Sequence, residues 1–524
     1  MLAPSILNPI SKIDVQQCMK FTFLLNFTTT TGLVGSFECG TPEWRSIAAQ
    51  QSATSSGETG SESFQRPQYE LSAKIMDLFE GADILTYGPS PDFVSEYFGQ
   101  GGESDLTRRI VHNIRDATIV TRRKDDKQPL WSDSLEAMSY DFFSLAKLHK
   151  FLGLFWSCWY PNWPAIHKPS FRLSEASITL VISMTVLGAC LSPDERERAK
   201  ATLWFSATEE LVFSSDIWSQ DLAQAWQNSD HTAQRQSQLE IIQAAYCVTL
   251  IHTWEGCKEH VLRVRRQRYN AIISMLRDIG LNQATLRDVD TSNVTKFDWT
   301  EFIQRESLVR ICTYVFNLDG GFALFYYHPT RMLLREMVID LATPEACFQA
   351  GSAEECFVEL RSWRHSLYPS RILTLVDVVR SICSEETSRE IEHLLARAST
   401  LNMFTIIIAL YSLVSQVESS LVVTVDDSSL RNGLERWNTF WPSSARQEEI
   451  EKGNMDYDSS WRRIGFMRHA PEFWLISQLK LDRLSKQRKE GLVADLLDTQ
   501  YDTTTMGGLE SLIREFQASK ISVT

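Results

Sequence analysis

Residues 298–316, DWTEFIQRESLVRICTYVF, decide the fold class of this chain. Asp298 stands before an apolar periodic run and Glu301 follows three residues later, which is the pattern of a capped helix start. Glu306 and Arg310 are four residues apart on the other side of that helix, where they predict a supportive ion pair. Apolar side chains recur at helical spacing at Phe302, Leu308, Val309, Cys312, Val315 and Phe316.

The same signals recur from residue 140 to about residue 415. Gly280 follows an amphipathic run as a left-handed helix stop, and Ser352 with Glu355 starts a further helix. Ser192 is expected to cap a helix that has Pro193 in its first turn. The chain has only 16 Pro and 23 Gly in 524 residues, and its best strand candidate is the short run 421–425. We therefore predict an all-α protein, a large multi-helix bundle or array with a disordered N-terminal linker.

Composition and helical patterning divide the chain into four regions. Residues 1–68 are expected to be a poorly ordered N-terminal segment and linker, because 50–61 are small and polar. Residues 69–135 form a lead-in of helix and loop, in which the glycines of 99–102 mark a loop. Residues 136–415 are the helical domain, and 416–524 are a C-terminal helical segment with loops.

The charge balance is acidic, with 52 basic against 66 acidic residues and a net charge of −14. Most of the chain is therefore unsuited to contact nucleic acid, because phosphate binding needs a basic excess. The basic run 122–127 is interpreted as a solvated loop, with a nuclear-import patch as the alternative. The densest cationic patch is Arg263, Arg265, Arg266 and Arg268. It is interpreted as a solvated face paired with acids of a neighbouring helix, or else as a docking surface for an acidic partner or DNA.

The ten cysteines are scattered, and no Cys-x-x-Cys pair occurs in the sequence. Most lie in apolar helical stretches, as reduced core cysteines do, which fits the cytosol or the nucleus. Cys257 and His260, with Cys247 and His252 nearby, are interpreted as core and surface residues rather than zinc ligands. Cys347 and Cys356 are likewise expected to be packing residues. We predict neither a metal site nor a cofactor in this chain.

Catalytic signatures are also absent from the sequence. It has no Gly-x-Ser-x-Gly elbow and no phosphate-binding glycine loop. The acidic doublets at 125–126 and 426–427 have no further acid three or four residues on, so they do not resemble the magnesium-binding helix of terpene cyclases. No catalytic residue is therefore proposed, and the chain is not expected to be an enzyme.

Membrane association is not expected either. The start of the chain has no early basic residue, so we predict no signal peptide. The apolar runs 178–191 and 403–414 are shorter than the roughly 20 residues that a membrane span needs. Both are predicted to be buried core helices.

Residues 155–171, FWSCWYPNWPAIHKPSF, resemble a hallmark of the fungal-specific transcription factor domain. In that family a helix ends in an aromatic-rich turn, and an Ile/Leu-His-x-Pro-Ser/Thr-Phe element follows. The stretch from Trp299 to Arg310 resembles the family's Trp-x-x-x-Ile-x-x-Glu-x-x-x-Arg helix. Further segments agree in order, so the resemblance covers about residues 140–360. They are 180–191, 243–256, 265–281, 316–319 and 328–332.

The N-terminal stretches 23–28 and 36–40 resemble the segment that follows a pair of Cys-Cys-His-His zinc fingers in one branch of this family. The chain itself has no finger and no six-cysteine cluster, so the family's DNA-binding module cannot be placed on any residue. We expect either that the sequence starts late in its gene or that this member lost the module. Zinc is implied only through such a missing module.

The resemblance implies a nuclear transcription regulator of a metabolic gene set, including secondary-metabolite clusters. Its helical domain would handle dimerisation, effector response or inhibition of an activation segment. The implied partners are another transcription regulator, in a homodimer or heterodimer, and DNA, reached indirectly or through the missing module. Two alternatives stay open, a helical partner that does not bind DNA and a small-molecule-binding helical protein. The second predicts a deep apolar pocket with convergent polar groups.

Overall fold

The computed structural model describes residues 21–54, 102–125, 127–227, 231–367, 373–419, 427–442, 460–490 and 506–521. In the described ranges the chain is built from helices. The extended pairing found there is one isolated antiparallel bridge, between Asp340 and Thr374. The predicted all-α fold is confirmed. The strand candidate 421–425 lies outside the described residues.

The first half of the chain forms short helices around two longer ones. They are α1 (Thr22–Thr29), α2 (Gly32–Ser36), α3 (Pro42–Thr54), α4 (Gly102–Lys124), α5 (Asp133–Phe142), α6 (Leu145–Leu154), α7 (Ile178–Cys190), α8 (Glu195–Thr202), α9 (Phe205–Phe213), α10 (Ala223–Gln227) and α11 (Thr232–Trp254).

The second half continues in the same way and contains the longest described helix, α14. Its helices are α12 (Lys258–Arg263), α13 (Tyr269–Ile279), α14 (Trp299–Tyr326), α15 (Glu345–Phe348), α16 (Ala353–Ser366), α17 (Leu375–Cys383), α18 (Arg389–Arg397), α19 (Thr400–Ser419), α20 (Ser428–Phe440), α21 (Ala470–Glu490) and α22 (Gly507–Ile521).

Three helix signals are confirmed in detail. The Asp298 carboxylate accepts a hydrogen bond from the Glu301 backbone N–H at 2.9 Å, and α14 starts there. The Ser352 hydroxyl does the same for Glu355 at the start of α16. Gly280 ends α13 with φ of +95°, a conformation that residues with a Cβ adopt only under strain. Local sequence therefore determines these helix ends.

Two local expectations are wrong. Asp194, not Ser192, caps α8, because its carboxylate accepts from the Arg196 backbone N–H, while the Ser192 hydroxyl hydrogen bonds Glu197. The basic residues 122–124 form the last turn of α4 rather than a loop. There the Lys124 ammonium lies 2.7 Å from the Glu210 carboxylate of α9, and this ion pair with a neighbouring helix stabilises the last turn.

The N-terminal segment also differs from the expectation for residues 1–68. Residues 22–54 form α1, α2 and α3, and Phe23, Leu24 and Leu33 are fully buried. Burial of several large apolar side chains offsets the entropy of ordering this short segment. Residues 1–20 and 55–68 lie outside the described residues.

One hydrophobic core extends from Phe21 in α1's lead-in to Ile513 in α22, across positions 136 and 416. Helices α11, α14 and α19 run through its middle. A smaller cluster packs under the 286–303 segment against α16. The N-terminal and C-terminal helices thus share one core with the central helices.

Among the described residues, two helices are long and apolar enough to cross a membrane, α14 and α19. The most apolar stretches of these helices are 89% and 78% buried inside the fold, respectively. The helix that contains 403–414 is longer than the apolar run predicted, since it spans 20 residues, Thr400–Ser419. Burial within the fold, rather than length, marks both as core helices.

Helix α7 crosses α6 at very close range. A Cβ at Gly188 would lie only 1.9 Å from the Phe151 carbonyl oxygen, so no larger residue fits there. This contact gives a physical reason for the glycine in the apolar run 180–191. The aromatic turn follows α6 directly, and most of its residues are buried in the main core.

Candidate regulatory site

The aromatic turn that follows α6 is compact and largely buried. The chain passes from α6 into a π-helical turn, Phe155–Trp159, and a 3₁₀ turn, Tyr160–Asn162. The Tyr160 hydroxyl donates to the Ile166 carbonyl at 2.7 Å, which closes the turn on itself. Trp163 stacks on Tyr246 of α11 with ring centroids 4.8 Å apart. Trp159, Tyr160 and Trp163 are therefore packed in the core.

The Arg310 side chain joins this turn to α14 and to the 343–348 segment. Its guanidinium donates to the carbonyls of Pro164 (3.0 Å) and Thr343 (3.1 Å). It also donates to the carboxylates of Glu306 (2.7 Å) and Glu345 (2.9 Å), and neither Arg310 nor Glu306 is exposed. We call Arg310, Glu306 and Glu345 the Arg310 cluster. The predicted Glu306–Arg310 pair is confirmed, and both of its side chains are fully buried.

Burial has an unequal effect on the two acids of this cluster. Desolvation raises the pKa of Glu306 to about 7, against the opposing attraction of Arg310. The Glu306 Oε2 atom has no hydrogen-bond partner, whereas Oε1 accepts from Arg310 and from the Thr343 backbone N–H. Two carboxylates share one cation here, so the cluster has no excess of positive charge to keep both acids ionised.

His167 brings the two resembling motifs into contact. Its ring packs edge to face on Trp299, with centroids 5.7 Å apart, and on Phe348 at 5.2 Å. The Ser170 backbone N–H donates to its Nδ1 atom at 3.2 Å. Burial lowers the pKa of His167 to about 4, so the ring is neutral at pH 7. Its surroundings are those of a packed histidine that connects the turn to α14.

An aromatic cavity lies on the other side of the turn. Its volume is about 50 Å³, and it is nearly all apolar. Phe27 of α1 stacks on Phe325 of α14 at 4.2 Å, and Phe23 stacks on His469 at 4.6 Å. The N-terminal segment thus forms one wall of a cavity in the centre of the core.

Three acidic residues fix the N-terminal segment to the helical body. The Glu472 carboxylate accepts from the backbone N–H groups of Phe23 and Leu24, both at 2.9 Å. Glu255 accepts from the Leu33 N–H at 2.6 Å, at the start of α2. Glu38 pairs with Arg468 at 2.6 Å. Carboxylates satisfy free N–H groups at helix starts particularly well. We call Glu472, Glu255 and Glu38 the N-terminal clamp.

The cationic patch on α12 and the π-helical turn Val264–Arg268 has split roles. Arg263 and Arg268 both pair with the buried Glu209 of α9, at 2.6 and 2.7 Å, as the favoured interpretation expected. We call these three the Glu209 cluster. Arg265 is instead buried, with its guanidinium 3.4 Å from the centre of the Tyr326 ring. Arg266 is exposed. The patch is therefore not one continuous cationic surface.

The remaining sequence candidates are scattered. Cys257 is exposed, while Cys247 and His252 are buried, and His252 Nε2 lies 3.3 Å from Glu209. Cys347 and Cys356 are buried in the smaller core cluster. Within the described ranges, no three His, Cys, Asp or Glu side chains come together as a metal site.

The acidic doublets lie partly outside the described residues, at 126 and 426. Asp125 accepts hydrogen bonds from Lys127 and Gln128, and Asp427 pairs with Arg431 at 3.0 Å. Both carboxylates are thus paired with residues that are close to them in the sequence. The glycines at 99–101 also lie outside the described residues, and Gly102 begins α4.

Sequence reasoning missed the polar connections between distant segments. Glu345 and Glu472 had no local signal, because their partners are 35 and 449 or 448 positions away in the sequence. Glu209 stands in an apolar helix beside Glu210, and the sequence does not show that it is buried against two arginines 54 and 59 positions away. Such residues become recognisable only once the helices are packed.

The signature residues of this helical body connect three of its segments. The family model of the fungal specific transcription factor domain matches residues 152–438, more than half of the chain. The chain belongs to this family and is a fungal transcription regulator. The predicted resemblance is thereby confirmed, and its two main motifs meet at the Arg310 cluster.

Named relatives agree with this assignment. The chain is 33% identical over 536 residues to transcription factor verF of Penicillium polonicum, covering 95% of this chain and 70% of that protein. It is 22% identical to zinc finger protein zas1 of Schizosaccharomyces pombe, over 40% of this chain and 22% of that protein. With zinc finger protein klf1 of the same organism the identity is 18%, over 54% and 34%. No solved structure matches the chain.

Proposed function

We propose that this protein acts in the nucleus and controls a metabolic gene set, such as a secondary-metabolite cluster, without enzymatic activity of its own. The observation that carries the proposal is the Arg310 cluster. It uses the polar residues of the family motifs to connect three segments of the fold rather than to line a reactive centre. The helical body then serves as the regulatory part of the protein.

The N-terminal clamp supports a role in relaying information along the chain. Segments α1 and α2 are bound to α21 and α11 by charge-assisted hydrogen bonds. Any residues before Phe21 are therefore connected to the helical body through an ordered segment rather than a loose tether. We propose that DNA is reached through a module attached on this side, or through a partner regulator in a homodimer or heterodimer.

Deletion of the gene tests the proposed function. We expect coordinated loss or gain of transcripts from a small set of metabolic genes, and nuclear fluorescence from a tagged, complementing copy. An unchanged transcriptome under conditions in which the gene is expressed would contradict the proposal. So would a complementing copy that is excluded from the nucleus.

Purification of the tagged chain separates the two routes to DNA. Co-purification with a second regulator, together with no specific DNA binding by the chain alone, supports the partner route. Specific DNA binding by the purified chain would support direct contact. We propose that this chain holds no zinc unless a finger module is attached, and stoichiometric zinc in the purified chain would contradict that.

A further inference from the structure

Helix α4 is a basic element in an acidic chain. It contains six basic and three acidic residues, whereas the whole chain carries a net charge of −14. Its apolar side, which includes Ile110 and Ile114, is buried in the main core. Arg109, Arg115 and Arg123 lie away from that side and are exposed. The helix is therefore held by one side, and its other side is accessible to a partner.

The three exposed arginines form no ion pair with the described residues. Charged pairs that involve α4 are Arg108–Asp105, His112–Asp116 and Lys124–Glu210. Ile119, which lies four residues from both Arg115 and Arg123, is only partly buried. We call Arg109, Arg115, Ile119 and Arg123 the α4 basic side. Guanidinium groups next to an apolar side chain suit an occupant that has both carboxylates and aromatic rings.

The part of the chain just before α4 has this composition. Residues 75–98 contain five acidic and no basic residues, and five of the 24 are aromatic. They lie outside the described residues, and α4 begins at Gly102, four positions after residue 98. Acidic residues interspersed with large apolar ones are typical of activation segments in transcription regulators.

Chain length allows these residues to reach the α4 basic side. The 23 residues of α4 span about 34 Å, and about ten residues of extended chain cover the same distance. A segment on such a short tether has an effective concentration on the order of millimolar, which compensates for the weakness of surface ion pairs. DNA is a less suitable occupant, because the net charge of −14 repels phosphate groups.

We propose that residues 75–98 dock on the α4 basic side of the same chain. Their carboxylates pair with Arg109, Arg115 and Arg123, and their aromatic side chains cover Ile119 and the arginine stems. The contact depends on opposite charge, so it weakens as salt is added. It withholds an activation segment from other proteins, a consequence that rests on the proposed function, whereas the contact itself does not.

The test places a reactive amine on α4 in the purified full chain. Arg115→Lys keeps the positive charge, and a carbodiimide then joins its amine to a carboxylate in direct contact. We expect cross-links from position 115 to acids of 75–98, located by mass spectrometry of the digested protein. Arg380→Lys, at an exposed position of α17, is the matched control and should give none with this segment. Absence of these cross-links in Arg115→Lys overturns the proposal.

Further variants separate docking from the effect of the tether. Arg109→Glu/Arg123→Glu, added to Arg115→Lys, leaves the tether unchanged and should lower the cross-link yield about fivefold, because two attractive contacts become repulsive. Arg266→Glu/Arg389→Glu changes the net charge equally at exposed positions elsewhere and should leave the yield unchanged. A yield that Arg109→Glu/Arg123→Glu does not lower would show that the tether alone brings the groups together, and it overturns the proposal.

Salt provides the same test without the glutamate variants, so the proposal stays testable if they do not fold. At about 1 M NaCl the Debye length is about 3 Å, and the cross-link yield of Arg115→Lys should fall severalfold. A yield that is the same at low and high salt overturns the proposal.

Two other occupants would be recognised in the same experiment. Cross-links between position 115 of one chain and residues 75–98 of another would assign the α4 basic side to a second copy. Loss of amine reactivity at position 115 when duplex DNA is added, without cross-links to the segment, would assign it to DNA. Either result overturns the proposal.

Cross-linking of the purified chain does not depend on transcription. Absent cross-links with a transcriptional phenotype on gene deletion reject the docking and leave the proposed function standing. Cross-links without any transcriptional effect of gene deletion reject the proposed function and leave the docking standing.

Discussion

The Glu209 cluster and the Arg310 cluster bury charge in opposite ways. In the first, one buried carboxylate accepts from two arginines whose side chains keep 35% and 28% exposure. In the second, one fully buried arginine serves two glutamates. The pKa of Glu209 falls to about 2 because of Arg263, His252 and Arg268, despite burial, while burial raises that of Glu306 to about 7. The number of cations per acid therefore decides whether ion pairing lowers the pKa of the buried acid or burial raises it.

The strongest way to break this comparison is Arg310→Met. It leaves two buried carboxylates without their cation and frees the Pro164 and Thr343 carbonyls, so we expect a loss of about 3–5 kcal/mol in the free energy of unfolding. Urea denaturation of the purified chain measures it. Arg266→Met, at an exposed position in the same chain, is the control and should change stability by less than about 0.5 kcal/mol. A loss below about 1 kcal/mol for Arg310→Met would mean that the cluster is not a structural centre.

Removal of both arginines of the Glu209 cluster should cost less. In Arg263→Met/Arg268→Met the buried Glu209 loses two partners, but both arginines are partly exposed and water can approach the site. Discounting for this screening, we expect a loss of about 2 kcal/mol by the same denaturation assay. A loss as large as that of Arg310→Met would reverse the order of the two clusters.

The pH dependence of stability distinguishes the two acids. The folded-state pKa of Glu209 is lowered, from 4.5 to about 2, so its contribution is complete above pH 4.5 and is lost as the pH falls through that window. Between pH 4.5 and pH 3 the parent should lose about 2 kcal/mol more than Glu209→Gln does. Equal acid slopes in the two proteins would contradict this assignment.

Glu306 should act with the opposite sign. Its folded-state pKa is raised, so the folded protein binds an extra proton between pH 4.5 and about 7. Its contribution to stability therefore decreases as the pH rises through this range. Glu306→Gln should flatten that decrease relative to the parent, and an unchanged slope would show that Glu306 keeps an ordinary pKa.

The smallest expected effect concerns the N-terminal clamp. Glu472→Gln weakens two charge-assisted hydrogen bonds. We expect the free energy of local opening of α1 to fall by about 1 kcal/mol or less. Hydrogen exchange of the Phe23 and Leu24 amides should then speed up about fivefold, while amides of α14 keep their protection. Glu435→Gln, an exposed acid on α20, is the control. Unchanged exchange at α1 would show that the clamp does not hold it.

The sequence was sufficient for features that depend on neighbouring residues. Gly280, Asp298 and Ser352 act within one helical turn, and periodicity alone marked the core helices. It was insufficient where a partner is distant, as for Glu472 with Leu24. The π-helical turn at 264–268 is a second reason, because its extra residue per turn rotates Arg265 into the core while Arg266 stays exposed.

The candidate site was predictable in part. The Glu306–Arg310 spacing predicted the pair. Burial of the pair and its third member Glu345 follow from how the turn at Pro164 and the 343–348 segment pack on α14. Periodicity gives which side of a helix is apolar, but not which other segments cover the polar side.

The account rests on the claim that the helical body regulates transcription. The most direct measurement fuses this chain to a heterologous DNA-binding domain and records a reporter that carries the cognate sites. We predict reporter output that differs severalfold from that of the DNA-binding domain alone, with the difference abolished by Arg310→Met and kept by Arg266→Met. Output equal to that of the DNA-binding domain alone, from a fusion that is expressed and nuclear, would contradict the account.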